Sequence, residues 1–272
     1  MTRESTAEGN STTVSALACA DLQKSFGGVK AVNGASFSVP RGTVSALIGP
    51  NGAGKTTVVS ILSGALRPDT GAVTLGGDDV TKLPSHRRAE LGLIRTFQLS
   101  REFGGLTVFE NLMVAARRQA GESLVDIYLR PRLVTRRENE LKERAAVVLE
   151  QFGLYALRDE WARSLSGGQK RLLEISRAVM AEPTVLLLDE PMAGVNPVLI
   201  DRIGEHILDL RAGGVTVLMV EHNLNVVEKI CDHVIVLAEG RTLATGQMSE
   251  LRDNTDVVRA YLGGVLDGRI DS

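Results

Sequence analysis

The octapeptide Gly49-Pro50-Asn51-Gly52-Ala53-Gly54-Lys55-Thr56 carries the residue types needed to hold a phosphate chain. Its glycines let the backbone turn sharply, so that successive N–H groups point inward at an anion. A helix starting at Gly54 adds the positive end of its dipole. Lys55 supplies a mobile point charge for β- and γ-phosphates. The Thr56 hydroxyl suits Mg2+, which prefers hard oxygen ligands. Gly-x4-Gly-Lys-Thr is the P-loop spacing, and average composition produces it in roughly one chain in a hundred of this length. The competing account is a glycine-rich turn without a ligand. A buried strand before the loop and a helix after it argue for ATP with Mg2+ instead.

A second constellation follows an apolar run. Val185-Leu186-Leu187-Leu188 ends in Asp189-Glu190-Pro191. In open α/β sheets ligands sit at the carboxyl ends of the strands. Asp189 is then placed to hold Mg2+, directly or through water. Glu190 is placed to polarise an attacking water as general base. Taken alone, such a run could equally end in a solvated turn; the P-loop tips the balance toward hydrolysis.

These residues need a scaffold. Leu17–Leu22 and Ala35–Val39 alternate as half-buried antiparallel strands do. Thr43–Ile48 reads as a strand buried on both faces, followed by a helix from Gly54 to about Leu66. Ala72–Leu75 is a further strand and Gly76–Asp79 a turn. Between Leu99 and Arg163 the chain is rich in Arg, Glu, Leu and Ala. Helical periodicity there covers Val108–Arg118 and Asn139–Phe152, with an irregular, exposed middle at Gln119–Thr135. Strand–helix alternation then resumes: Thr184–Leu188, helix Pro197–Arg211, Val215–Val220, helix Leu224–Ile230, His233–Leu237. The order predicts an α/β fold with a mostly parallel sheet.

Bulk properties narrow the class. The chain has 272 residues, 43% hydrophobic, enough for a sizeable core. A formal net charge of −2 gives no case for a nucleic-acid surface. Cys19 and Cys231 lack CxxC spacing and read as reduced, buried thiols; the four histidines show no metal-ligand spacing. No stretch of about 18 uninterrupted apolar residues offers a bilayer span. The polar N-terminus, residues 1–14, lacks a signal-peptide core and reads as a disordered tail.

Leu165-Ser166-Gly167-Gly168-Gln169 is the decisive feature. Ser166 and the Gly167 and Gly168 amides precede a strong helix, Lys170–Met180, and form a second anion site. A serine N-cap with a flexible turn explains Ser166 but not the whole pentad. Here the chain resembles the ATP-binding subunits of ABC transporters, from about Ser15 to Gly264. The pentad matches the ABC signature. Gly49–Thr57, including Thr57, matches Walker A, and Val185–Glu190 matches Walker B. The resemblance implies that Gln98 is the Q-loop glutamine sensing Mg2+ and the γ-phosphate, and that His222 is the switch histidine. It also implies that Phe26 stacks on adenine where the family usually has tyrosine. By themselves, a lone His after a strand is more often structural and a lone Phe more often core. Asn196 departs from the family, whose D-loop usually ends in aspartate; this puts carboxylate-dependent communication across a dimer in doubt.

The resemblance further implies domains: a tail (1–14), an ATPase unit (15–264) and a C-terminal tail (265–272). Within the unit, 15–98 and 164–264 form a catalytic core with an antiparallel β subdomain, and 99–163 a helical subdomain. Arg95–Gln98, Leu106–Leu112, Ala193–Pro197 and Asp256–Gly264 look like the ATPases of importers for branched-chain and other hydrophobic amino acids. A shorter helical insert distinguishes the lipopolysaccharide-export ATPase, the main alternative. Soluble ABC ATPases acting on nucleic acid or ribosomes usually carry two units, coiled coils or zinc modules, which this chain lacks. The expected partners are an identical or sister ATPase, transmembrane permease subunits and, indirectly, a substrate-binding protein, with no nucleic acid. The expected location is the cytoplasmic face of the cell membrane.

Overall fold

A computed structural model describes residues 15–96, 103–116 and 131–266. The chain forms two sheets that share one core. Strands β1 (Ser15–Phe26), β2 (Val29–Pro40), β4 (Thr70–Leu75) and β5 (Asp78–Asp79) make an antiparallel sheet in the order β2-β1-β4-β5. The second sheet runs β10-β9-β3-β8-β7-β6: β3 (Val44–Ile48), β6 (Leu93–Arg95), β7 (Val185–Asp189), β8 (Thr216–Val220), β9 (His233–Ala238) and β10 (Arg241–Gly246). All its pairs are parallel except β9 with β10. Every residue of β3, β7 and β8 is buried, as expected of a parallel sheet covered on both faces.

Side-chain alternation sends the residues of that sheet to opposite faces, into two large cores and a smaller cluster of Ala46, Ile48, Val234 and Val236 with Leu251 and Val257. Leu47, Val185, Leu187, Leu218 and Val220 pack with the antiparallel sheet and helix α1 (Lys55–Leu62). Val44, Leu186, Leu188, Val217 and Met219 face a helical layer. That layer holds α3 (Val108–Ala115), α4 (Pro131–Gln151), α5 (Gly167–Met180), α6 (Pro197–Ala212) and α7 (Leu224–Ile230). Helix α2 (Ser85–Glu90) precedes β6; α8 (Met248–Leu251) and α9 (Thr255–Leu266) close the chain.

Several boundaries differ from the sequence expectations. The helix after the P-loop ends at Leu62 rather than Leu66. Its last carbonyls are taken by buried Arg88, which donates to Ile61 O and Leu62 O at 2.7 and 2.6 Å and also to Leu83 O and Thr81 O. A cation at a helix C-terminus satisfies both the orphan acceptors and the dipole. Asp78–Asp79 pairs with β4 instead of completing a turn. Strands β6 and β10 carry no strong periodicity and were not anticipated. Helix α4 starts at Pro131, inside the expected irregular stretch; proline suits a first helical turn. Residues 119–130 lie outside the described residues.

Capping motifs explain where helices start. Thr107 and Glu110 form a reciprocal capping box on α3, and Ser166 and Gln169 form another on α5. Buried Asn111 donates through Nδ2 to Phe103 O and Thr107 O and accepts from Phe103 N, which secures the turn leading into α3.

Candidate active site

Parallel register aligns the carboxyl ends of neighbouring strands. Leu47 of β3 and Asp189 of β7 are both level with Val220 of β8. The residues that follow, the loop from Gly49, Glu190 and His222, therefore emerge along one edge of the sheet, with β8 between the other two strands.

The loop from Gly49 to Thr57 turns directly from β3 into α1. Gly54 is the N-cap at φ +93°, and no side chain caps the helix. A Cβ there would lie 2.3 Å from Ala31 O, and one at Gly49 2.1 Å from Leu237 O. Only glycine permits that conformation and that approach. With no acidic residue in the first turn of α1, the first-turn amides keep their attraction for an anion. Lys55 is 7% exposed and donates through Nζ to Gly49 O at 2.7 Å and Pro50 O at 2.9 Å. Burial pulls its pKa below the ordinary lysine value, and the charge of Glu190 opposes that shift. Among the described residues no carboxylate forms an ion pair with it. A desolvated ammonium at an uncapped helix start fits a phosphate chain. Thr56 is exposed at the mouth of the loop, and Thr57 is half-buried.

Asp189 ends β7 at 1% exposure. Its Oδ2 accepts from Arg95 Nη2 at 2.9 Å, and the other guanidinium nitrogen reaches Ser60 Oγ on α1 at 3.1 Å. The carboxylate and the Thr56 hydroxyl are both hard oxygen donors of the kind Mg2+ takes. Glu190 adopts φ +49°, a left-handed conformation that costs a non-glycine residue about 1–3 kcal/mol. Two bonds hold it there: Glu190 N donates to Val220 O, and Ala193 N to Glu190 O, each at 3.1 Å. The turn aims Glu190 at His222, whose Nε2 lies 2.6 Å from Glu190 Oε1.

The pentad stands elsewhere. Helix α5 begins at Gly167, so Gly167, Gly168 and Gln169 lie inside it rather than ahead of it, and Ser166 is its cap. Ser166 Oγ accepts from Gln169 N at 3.3 Å, and Gln169 Oε1 accepts from Ser166 N at 2.9 Å. A Cβ at position 168 would meet Leu199 Cδ2 at 2.2 Å, so any larger residue there must push the Leu199 side chain aside. Among the described residues no hydrogen bond or ion pair links this cap to the loop 49–57. Asn196 caps α6, its Oδ1 accepting from Leu199 N at 2.9 Å.

Phe26 ends β1 at 50% exposure, with Lys24 Nζ 5.7 Å from its ring centre. It belongs to the β1–β2 hairpin, which touches Gly54 through Ala31. Gln98 lies outside the described residues. Sequence reasoning passed over Glu221 and treated Arg95 only as a family marker. The available signal was positional: each is a charged residue at the carboxyl end of an apolar strand. Both cysteines are free; Cys19 is buried, as expected, whereas Cys231 is only partly buried.

Comparison with known proteins shows which family the chain resembles. The family profile described as ABC transporter matches residues 32–193. The chain is 42% identical over 243 residues to a high-affinity branched-chain amino acid transport ATP-binding protein of Pseudomonas aeruginosa, covering 89% of this chain and 95% of that one. It is 40% identical over 243 residues to the corresponding protein of Escherichia coli K12, covering 89% and 95%. Among solved structures, a nucleotide-free ATP-binding cassette from an ABC transporter superposes with a TM-score of 0.79 at 36% identity, covering 91% of this chain and 98% of that one. The ADP conformation of an ATP-binding cassette gives 0.78 at 35% identity, covering 92% and 100%.

Proposed function

Because the chain belongs to the ABC transporter family, as one of its ATP-hydrolysing subunits, we propose that it couples ATP binding and hydrolysis to the uptake of branched-chain or related amino acids. The observation that carries the hydrolytic part is the meeting of Glu190 and His222 at 2.6 Å beside the strand that delivers Lys55.

In this reading the amides from Gly49 to Thr57 and the Lys55 ammonium bind the β- and γ-phosphates, and Phe26 supports the adenine. Thr56, Asp189 and Gln98 hold Mg2+, which when bound neutralises phosphate charge. Glu190 accepts the proton of the attacking water. His222 holds the Glu190 carboxylate in line and contacts the γ-phosphate.

The pentad completes the site in trans. One nucleotide needs a single strong phosphate cradle, and among the described residues no hydrogen bond or ion pair joins Ser166–Gln169 to the P-loop. A facing ATPase, identical or a sister subunit, is the natural recipient. Residues 15–98 and 164–264 act as the catalytic core and 99–163 as the helical part that meets the permease at the cytoplasmic face of the membrane. No helix among the described residues is long and apolar enough to cross a bilayer; in this reading the permease provides the attachment to the membrane. A substrate-binding protein supplies the cargo, and no nucleic acid takes part.

Co-purification of the tagged chain from its native membranes tests the transport role. The expected result is a multi-spanning permease, with ATPase activity stimulated by a loaded amino-acid-binding protein. Recovery with ribosomes or DNA instead, and no permease, overturns it.

A further inference from the structure

Glu221 is 4% exposed, and among the described residues no cation pairs with it. Its only listeners are backbone amides. Oε1 accepts from Met192 N at 3.1 Å, in the turn after β7; Oε2 accepts from His222 N at 3.1 Å and Asn223 N at 3.5 Å, in the turn after β8. Burial pushes its carboxyl above the ordinary glutamate range, while those amides and His222 hold it down.

The two turns bridged by this carboxylate are the ones that carry Glu190 and His222. Glu190 sits in its left-handed conformation with its N–H on Val220 O, one residue before Glu221. Thus the end of β8 anchors the Glu190 turn twice: through the Val220 carbonyl at position 190 and through the Glu221 carboxylate at position 192. The same carboxylate anchors the first amide of the His222 turn.

We propose that Glu221 is a positioning residue that sets the 2.6 Å meeting of Glu190 and His222 by tying their two loops to one buried charge. A carboxylate suits the task because both oxygens accept and neither donates. An amide of the same shape turns one end into a donor, which cannot accept from a backbone N–H. Glu221→Gln therefore releases one of the two loops while keeping the volume. The proposal rests on the reading of Glu190 and His222 as the hydrolytic pair.

The test uses the assembled transporter. Glu221→Gln is expected to lower kcat at least tenfold, with KM and the affinity for a fluorescent ATP analogue changed less than twofold. Glu221→Asp keeps the charge and recovers part of the loss. In a His222→Ala background, Glu221→Gln is expected to change the residual rate less than twofold, because the pair it serves is already broken. A kcat within twofold of the parent, or an equal fall in both backgrounds, overturns the proposal. If Glu221→Gln does not fold, Glu221→Asp, whose shorter arm cannot reach both turns, carries the comparison with a smaller expected fall in kcat, of more than twofold. Failure of the underlying reading is separate: it shows as undiminished turnover in Glu190→Gln and His222→Ala themselves.

Discussion

Arg95 and Asp189, 94 residues apart in sequence, are joined by a 2.9 Å ion pair across neighbouring parallel strands. Their side chains are only 13% and 2% exposed. Because Arg95 also reaches Ser60 on α1 and Ser63, the C-cap of that helix, it fastens the helix of the phosphate loop to the strand that carries the acidic residues.

Removing one partner of such a pair strands a buried charge. Arg95→Leu is expected to cost about 3–5 kcal/mol of stability, measured by urea unfolding. Arg95→Leu with Asp189→Asn recovers most of that loss. A single-variant cost below about 1 kcal/mol would contradict a buried, compensated pair.

Glu190→Gln keeps the shape of the side chain and removes its basicity. Turnover is expected to fall by roughly 10²–10⁴-fold, with nucleotide affinity little changed. Steady-state ATPase rates and equilibrium binding of a fluorescent nucleotide read the two separately; near-normal turnover removes Glu190 from the role of base.

Ser166 has a structural task as cap of α5 and a proposed task across a dimer. Ser166→Ala is expected to cost about 1 kcal/mol through loss of the cap. Ser166→Arg should bind ATP normally and stop hydrolysis in the assembled transporter. Thermal melting of both variants beside their ATPase rates separates the tasks, and unchanged activity of Ser166→Arg sinks the composite site.

Asn196 replaces the family's usual aspartate, and its role as N-cap of α6 gives a local reason for tolerance. Asparagine and aspartate cap about equally well. Asn196→Asp is therefore expected to change stability by less than about 0.5 kcal/mol, and Asn196→Ala to cost about 1 kcal/mol. Differential scanning calorimetry checks both.

Burial pushes the thiols of Cys19 and Cys231 up to about 12. The folded state favours the neutral form, so this contribution to stability is present below the ordinary value of 9.0. It is lost as pH rises toward 12. Alkylation by iodoacetamide at pH 8 is expected to be slow in the native protein and fast in urea. Rapid labelling of both under native conditions would contradict it.

Much of the site was legible because its chemistry is local. A phosphate loop needs its glycines, lysine and threonine within eight consecutive positions, since one turn of backbone wraps one anion. Buried parallel strands announce themselves as apolar runs, which is why β3, β7 and β8 were found within a residue or so. The short strands β6 and β10 escaped: β6 has three residues, and β10 alternates exposed with half-buried positions without filling them with alternating polar and apolar residues.

Sequence by itself thus determined the phosphate loop, the acidic strand end and the pentad, each a contiguous motif. Tertiary structure alone decided which of them meet. The register of β3, β8 and β7 brings Lys55, His222 and Glu190 to one edge, and capping turns Ser166 and Gln169 toward each other instead of toward the loop. Arg88, Arg95 and Glu221 gained their roles only there. None of the three stands out in sequence, and a buried charge is defined by the groups that fold around it.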